Sequence, residues 1–196
     1  IATLFQHTHC VHLLDLPGFG DAPAPPDSWG TTEYADLVQQ YILDKVQAPV
    51  MLVGHSFGGT YMELFAKAYP DEVAGLVLVD PRHRDFTTVC AEAGLEGYTI
   101  PESVVATLPK VQIAEFEAFA SAADEIDAHG TFGPYPVRVL TATSHPWPRT
   151  VEVMWETMLG SLADEAEDGV QVLFEGAGHY LQVERPHKVA LEILDL

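Results

Sequence analysis

A serine stands at the centre of a glycine-flanked turn, Gly54-His55-Ser56-Phe57-Gly58. An apolar run precedes this G-x-S-x-G motif, and a helical pattern follows it at once. Such a turn gives the serine strained backbone angles, with Gly54 and Gly58 leaving room for it, and presents the hydroxyl above a sheet. Ser56 is therefore a candidate nucleophile, and the backbone N–H of Phe57 is a candidate donor to an oxyanion. The alternative is a glycine-rich turn with an incidental serine.

A serine hydroxyl is a weak nucleophile until a base takes its proton, so a histidine is required. His179 is the best placed of the nine histidines, because it follows an apolar run in the glycine-rich stretch Glu175-Gly176-Ala177-Gly178. The alternative for His179 is a surface loop histidine. His55 is adjacent to Ser56, so a role in shaping the turn is more consistent with its position than a role as base.

Short apolar runs alternate with helical patterns along the chain. The predicted strands are residues 10–16, 50–54, 74–79, 137–142 and 169–174, and the predicted helices are residues 31–46, 57–69, 151–162 and 186–194. Runs that are apolar nearly throughout are typical of strands covered on both faces. The pattern therefore predicts an α/β fold, a mostly parallel sheet with flanking helices.

The interval between Pro81 and Pro136 breaks this alternation, because it contains no predicted core strand. Residues 103–128 have a mainly helical and acidic pattern. An insertion of this length is more often a functional lid than a passive loop, and it would cover the strand ends where active sites of such sheets lie. We therefore predict a core of residues 1–80 and 136–196 and a helical lid of residues 81–135. The lid's apolar residues could line a pocket for an acyl or aromatic group, but packing onto the sheet is their more usual role: Phe86, Val104, Val105, Leu108, Ile113, Phe116 and Phe119.

Composition excludes several classes of partner. The chain has 196 residues, of which 29 are acidic and 9 basic, for a net charge of −20. Such a surface repels phosphate backbones and anionic lipid, so we predict neither a nucleic-acid nor a membrane partner. Cys10 and Cys90 form no CxxC pair, which favours reduced, partly buried thiols in a cytoplasmic protein. The group His7, His9 and His12 has no nearby carboxylate or cysteine set, so we predict no metal and no cofactor.

Three segments, LLDLPGFGDAPAP, VGHSFGGTYMELFAKAYPDEVAGLVLVD and EGAGHYLQVERPHKVALEIL, resemble signatures of the α/β-hydrolase family in that family's order. The resemblance covers nearly the whole chain. It implies the order nucleophile, acid, histidine, and a serine hydrolase that cleaves an ester, thioester or amide bond of a small-molecule substrate through an acyl-enzyme at Ser56. Ser rather than Asp in the turn argues against haloalkane dehalogenase or epoxide hydrolase chemistry.

The position of the triad acid departs from the usual pattern. In most members the acid follows the strand after the lid, but residues 143–147 contain no carboxylate. Some members take the triad acid from the end of the next strand, the one that follows the helix after the serine turn, and Asp80 stands at this position. The resemblance therefore implies Asp80 as the acid that orients His179, with Glu152 as the main rival. A cap for the segment that begins at Pro81 is the alternative role for Asp80.

The resemblance also implies that the chain is N-terminally incomplete. Family members carry, before the segment matching residues 10–16, further strands and an HG-type loop whose backbone donates the second oxyanion hydrogen bond. One of these missing strands would lie between residues 10–16 and 50–54. We expect a fragment of a longer enzyme, because Ile1 to Gln6 resembles a helix cut mid-pattern, and the alternative is a shortened homologue. Two other functions stay open: a catalytically impaired hydrolase-like binding protein, and a cofactor-free perhydrolase with the same triad.

Overall fold

Four parallel strands form one sheet in the order β1-β2-β3-β4. The computed structural model describes residues 1–26, 30–95, 106–108, 112–113 and 122–196. The strands are β1 (Val50–His55), β2 (Val73–Val79), β3 (Val137–Ala142) and β4 (Gly169–Phe174). Each agrees with its prediction to within one residue at either end, so the predicted parallel α/β sheet is confirmed.

Helices flank this sheet. They are α1 (Ala2–Phe5), α2 (Thr31–Lys45), α3 (Phe57–Ala68), α4 (Phe86–Glu92), α5 (Arg149–Asp164), α6 (Leu181–Glu184) and α7 (Pro186–Leu194), and a 3₁₀ turn covers Pro70–Glu72. Residues 122–127 are also helical. The structure thus confirms all four helices predicted outside the lid interval. Within the described residues, no helix combines the length and apolar character needed to cross a membrane.

Strand β2 is buried on both faces. Leu76 and Leu78 belong to the core cluster that includes residues of α2, α3 and α5, whereas Val77 and Val79 belong to a second cluster with residues of α6 and α7. Each of these four side chains is at most 2% exposed. Because successive side chains of a strand point to opposite faces, burial of both faces explains why the run contains no polar residue before Asp80.

The predicted strand at residues 10–16 is wrong, because this segment is not part of the sheet. Residues 10–15 are exposed. A strand needs a neighbouring strand with which to exchange backbone hydrogen bonds, and the described residues provide this segment with none. An apolar pattern predicts burial but does not reveal whether a partner is present. Cys10 in this segment is an exposed free thiol, contrary to expectation, whereas Cys90 is a buried free thiol.

The predicted lid is described only in part. Val104, Val105, Phe116 and Phe119 lie outside the described residues. Phe86 is fully buried in the core, and its ring meets the edge of Trp155 with centroids 4.8 Å apart. Its contacts are therefore those of a residue that packs the segment onto the sheet. Leu108 and Ile113 are partly buried.

A buried ion-pair network joins α3 to Glu165, the residue that follows α5. Arg84, in the loop after β2, pairs with Glu63 of α3, with Glu165 at 2.6 Å and with Asp127 at 3.0 Å. Lys67 of α3 lies 2.6 Å from Glu165. Burial raises the pKa of the Glu63 carboxyl, whereas the neighbouring cations oppose this rise. Removal of one cation would leave acidic groups in this interior insufficiently paired.

We expect Arg84→Ala to lower the free energy of unfolding by about 3 kcal/mol, because breaking a buried ion pair leaves an uncompensated charge. The control is Arg149→Ala, since Arg149 pairs with Glu156 through a side chain that is 70% exposed. Exposed pairs contribute at most about 1 kcal/mol. Urea denaturation followed by circular dichroism measures both variants. Equal effects would contradict a special role for the buried network.

Candidate active site

Ser56 connects β1 to α3 with backbone angles of φ 54° and ψ −124°. A non-glycine residue with positive φ is strained, and surrounding contacts must hold it in place. Its N–H donates to the carbonyl of Val79 at 3.3 Å, and its own carbonyl accepts the N–H groups of Gly59 at 2.9 Å and Arg82 at 3.0 Å. These bonds tie the turn to the end of β2, and the backbone has the shape that the nucleophile interpretation of Ser56 requires.

Glycines around Ser56 permit close backbone approach. A methyl group on Gly54 would lie 2.4 Å from the carbonyl oxygen of Gly58, and one on Gly59 would lie 2.6 Å from Cβ of Pro81. A methyl group on Gly58 would meet no described atom within 4 Å. The prediction that a side chain would not fit next to Ser56 is therefore right for Gly54 and wrong for Gly58. The second glycine at which a side chain would collide with neighbouring atoms is Gly59. Two adjacent glycines in the sequence do not reveal which one faces the neighbouring loop.

Asp80 follows the last residue of β2 and is fully buried. Its φ of 42° is also positive, a conformation that aspartate tolerates better than most residues. Its Oδ1 accepts the backbone N–H of Ala142 at 3.0 Å and the indole N–H of Trp155 at 3.0 Å. These two donors fix the orientation of the carboxylate and leave Oδ2 for other partners.

His179 lies in the loop after β4, with its Nδ1 2.7 Å from Oδ2 of Asp80. The loop is held from two sides. Glu184 accepts the N–H of Gly178 at 3.1 Å, and Nε2 of His55 donates to the carbonyl of His179 at 3.0 Å. Burial lowers the pKa of His55, which favours a neutral ring. His55 therefore supports the loop that carries His179.

The carboxyl of Asp80 remains ionised at neutral pH. Burial by itself raises its pKa, but hydrogen bonds from His145 and His179, the charge of His145 and a hydrogen bond from Trp155 outweigh burial and lower the pKa to about 2. An ionised carboxylate on Nδ1 fixes the imidazole tautomer and stabilises an imidazolium. The Asp80–His179 pair therefore has the charge and geometry needed to support a general base.

Glu152, the rival acid, contacts a different histidine. Its Oε1 lies 2.9 Å from Nδ1 of His145, and Nε2 of His145 lies 2.9 Å from Oδ2 of Asp80. Sequence reasoning did not identify His145 or Trp155. Two signals were present: a histidine in the loop after β3, where the family usually has its acid, and a tryptophan whose indole N–H requires an acceptor when buried.

A cavity of about 390 Å³ lies above Ser56. His179 and Phe57 line it together with Ser56, and Phe57 is the first residue of α3. The rest of the lining mixes apolar and polar side chains, with one carboxylate, and consists of Leu14, Asp15, Leu16, Phe19, His55, Gly58, Tyr61, Gln112 and Tyr180. The candidate nucleophile and candidate base therefore face a common space large enough for a small ligand.

Asp80, His145 and His179 also form the kind of cluster that can hold a metal ion, since their ligand atoms lie within 4.8 Å of one another. Both ring nitrogens are at hydrogen-bonding distance from the same carboxylate oxygen, 2.7 and 2.9 Å. A zinc ion needs nitrogen ligands at about 2.0–2.1 Å. It could bind here only by replacing these two hydrogen bonds, so the hydrogen-bonded arrangement accounts for the cluster without an ion.

A sequence model of the alpha/beta hydrolase family matches residues 1–192. The chain belongs to the α/β-hydrolase family. Among curated α/β-hydrolase relatives, it is 43% identical over 76 residues to abhydrolase domain-containing protein abhd-5.2 of Caenorhabditis elegans, which is 36% of this chain and 17% of the relative. It is 40% identical over 87 residues to the pimeloyl-[acyl-carrier protein] methyl ester esterase of Chromobacterium violaceum, which is 43% of this chain and 32% of that esterase. The matches thus span less than a third of each curated relative.

A solved structure agrees over more of the α/β-hydrolase chain. The lipase-esterase related protein from Clostridium acetobutylicum superposes with a TM-score of 0.61, at 22% identity, over 92% of this chain and 80% of that one. Identity at this level supports the shared fold alone. The parallel sheet with flanking helices described above is thus that of an α/β-hydrolase.

We expect Gly54→Ala to destabilise the protein by about 1–3 kcal/mol, because its methyl group would overlap backbone atoms that cannot move independently. Gly58→Ala is the matched control. Its side chain meets open space among the described residues, and alanine is the better helix former by about 0.5–1 kcal/mol. Thermal unfolding of both variants checks the assignment. A Gly58→Ala variant as unstable as Gly54→Ala would contradict it.

Proposed function

We propose that this chain carries the active site of a serine hydrolase that forms an acyl-enzyme at Ser56. The observation that carries the proposal is the 2.7 Å contact between Nδ1 of His179 and the buried carboxylate of Asp80, on a cavity that Ser56 also lines. Asp80 is proposed as the triad acid and His179 as the general base. The contact of Glu152 with His145 supports this choice of acid over Glu152.

In this mechanism His179 takes the hydroxyl proton of Ser56 through Nε2 as the serine oxygen attacks the substrate carbonyl carbon. The carbonyl oxygen gains the negative charge, and the N–H of Phe57 at the start of α3 is proposed to donate to it. The imidazolium then gives its proton to the leaving group, and an acyl-serine ester remains. Water, deprotonated by His179, then attacks the ester carbonyl, and the imidazolium returns its proton to the oxygen of Ser56 as the bond between this oxygen and the acyl carbon breaks and the acid leaves. No cofactor takes part in these steps.

We propose an uncharged acyl ester as the substrate class. Leu14, Leu16 and Phe19 in the cavity lining suit an acyl chain, and Asp15 together with the chain's net charge of −20 disfavours anionic groups. The Chromobacterium violaceum relative is named as a methyl ester esterase, which favours esters over thioesters and amides. Residues 81–135 are proposed to act as a lid, which the position of Gln112 in the cavity lining supports.

We expect a fluorophosphonate probe to label the wild-type chain and not Ser56→Ala, because the probe phosphorylates only an activated serine. Gel fluorescence and mass spectrometry of the labelled peptide measure the stoichiometry and the site. Cys10→Ser is the matched control, since it changes an exposed nucleophile outside the cavity lining. Labelling of Ser56→Ala to the wild-type level would sink the proposal. An unlabelled wild type would favour the non-catalytic binding protein.

We expect Asp80→Asn to reduce kcat by about 10⁴-fold, the loss known for the corresponding change in a serine protease triad. An amide cannot stabilise the imidazolium of His179 and can impose the wrong tautomer. The control is Asp44→Asn on the exposed side of α2, which should leave kcat unchanged. Initial rates with a p-nitrophenyl ester measure both variants. A rate near that of wild type for Asp80→Asn would transfer the role of acid to Glu152.

A further inference from the structure

His145 has a carboxylate at each ring nitrogen. Nε2 lies 2.9 Å from Oδ2 of Asp80, and Nδ1 lies 2.9 Å from Oε1 of Glu152. Glu152 also accepts the backbone N–H of His145 at 3.3 Å. A neutral imidazole has only one N–H, whereas ionised carboxylates are acceptors only. Both ring contacts can therefore be hydrogen bonds to carboxylates only when the imidazole carries two protons.

The surroundings of His145 favour a cation. Its side chain is only 4% exposed, and the two carboxylates beside it are also buried. Two buried negative charges without a cation between them would be costly. The ring of Trp147 stacks on His145 at a centroid distance of 4.1 Å, and aromatic faces attract cations. An imidazolium at this position therefore offsets one of two negative charges that are almost completely shielded from water.

The charge on His145 bears directly on His179. Both rings contact the same oxygen, Oδ2 of Asp80, and their centroids are 6.1 Å apart. A cation at His145 repels a second proton on His179 and weakens the attraction that Asp80 exerts on it. Glu152 opposes this effect, but it contacts the ring nitrogen farther from Asp80, so the nearer positive charge dominates.

We propose that His145 is a protonated positioning residue whose positive charge partly neutralises the Asp80 carboxylate that also contacts His179. This inference rests on the proposed function, in which His179 is the general base. The titratable groups that face His145 are Asp80 from the end of β2, Glu152 from α5 and His179 from the loop after β4. His179 is faced in addition by His55 and Tyr180.

The pKa of His145 also favours a protonated ring. Burial by itself lowers the pKa of His145, but the hydrogen bonds and charges of Asp80 and Glu152 outweigh it and leave the pKa above the ordinary value of 6.5. A raised pKa in the folded state stabilises the protein fully below pH 6.5, and this stabilisation is lost as pH rises through the folded-state pKa. The protonated ring is thus favoured by the fold itself.

We expect that, in His145→Gln, the fall of kcat/KM on the acidic side of its pH profile occurs at a pH higher by roughly half to one unit. Glutamine can donate a hydrogen bond to Asp80 but carries no positive charge. KM should stay within about twofold, since His145 does not line the substrate cavity. A purely structural role would instead lower kcat by one factor at every pH. A fall at an unchanged or lower pH in a folded variant overturns the inference.

A second measurement does not depend on catalysis. In the Ser56→Ala background, ¹⁵N NMR of histidine-labelled protein should show one ring with both nitrogens still protonated at pH 7, above the usual titration range of histidine. If this signal is missing from the spectrum of His145→Gln, it belongs to His145. Glu152→Gln should lower the pH at which this ring loses its second proton, and it serves as the test if His145→Gln does not fold. A neutral ring at pH 7 overturns the inference even when the fluorophosphonate probe labels Ser56. A protonated ring in a protein that the probe does not label overturns the hydrolase proposal, and with it the role of His145 toward a base, but leaves the protonation of His145 standing.

Discussion

The site depends on one buried carboxylate, that of Asp80, which accepts hydrogen bonds from Ala142, Trp155, His145 and His179. These donors come from the end of β3, from α5 and from the loops after β3 and β4. An ionised group inside a protein is stable only when such donors surround it. Because they belong to different elements, the carboxylate also fixes the relative positions of those elements. The same contacts that make the buried charge tolerable therefore assemble the candidate catalytic pair.

Strand register brings the serine to this carboxylate. In the parallel pair β1 and β2, His55 lies opposite Val79, so the next residues, Ser56 and Asp80, leave the sheet side by side. Both have positive φ, at 54° and 42°. Strained conformations of this kind persist only where the surroundings impose them. Here the N–H of Ser56 donates a hydrogen bond to the carbonyl of Val79, the residue before Asp80. This bond links the two strained positions, so the turn and the acid support each other.

Two buried charge clusters serve different purposes in this acidic chain. The cluster around Arg84 connects α3 to Glu165, the residue that follows α5, through ion pairs and lies outside the cavity lining. The cluster around Asp80 instead contains two imidazoles, those of His145 and His179, and the charge of an imidazole depends on pH. Guanidinium groups stay protonated at any physiological pH, which suits a structural contact, whereas imidazoles can gain and lose protons during a reaction. The type of cation therefore separates a contact that holds the fold from one that can take part in chemistry.

The sequence by itself determined the parallel sheet, the flanking helices and the identity of Ser56 and His179 as candidates, because strand, turn and helix signals are local in the chain. It also indicated Asp80, through the family's alternative acid position. Tertiary structure alone decided that residues 10–16 lie outside the sheet, since strand formation depends on a partner that a pattern cannot reveal. It alone joined Glu152 to His145 rather than to His179, because hydrogen-bond partners distant in sequence are chosen by the packing of separate elements.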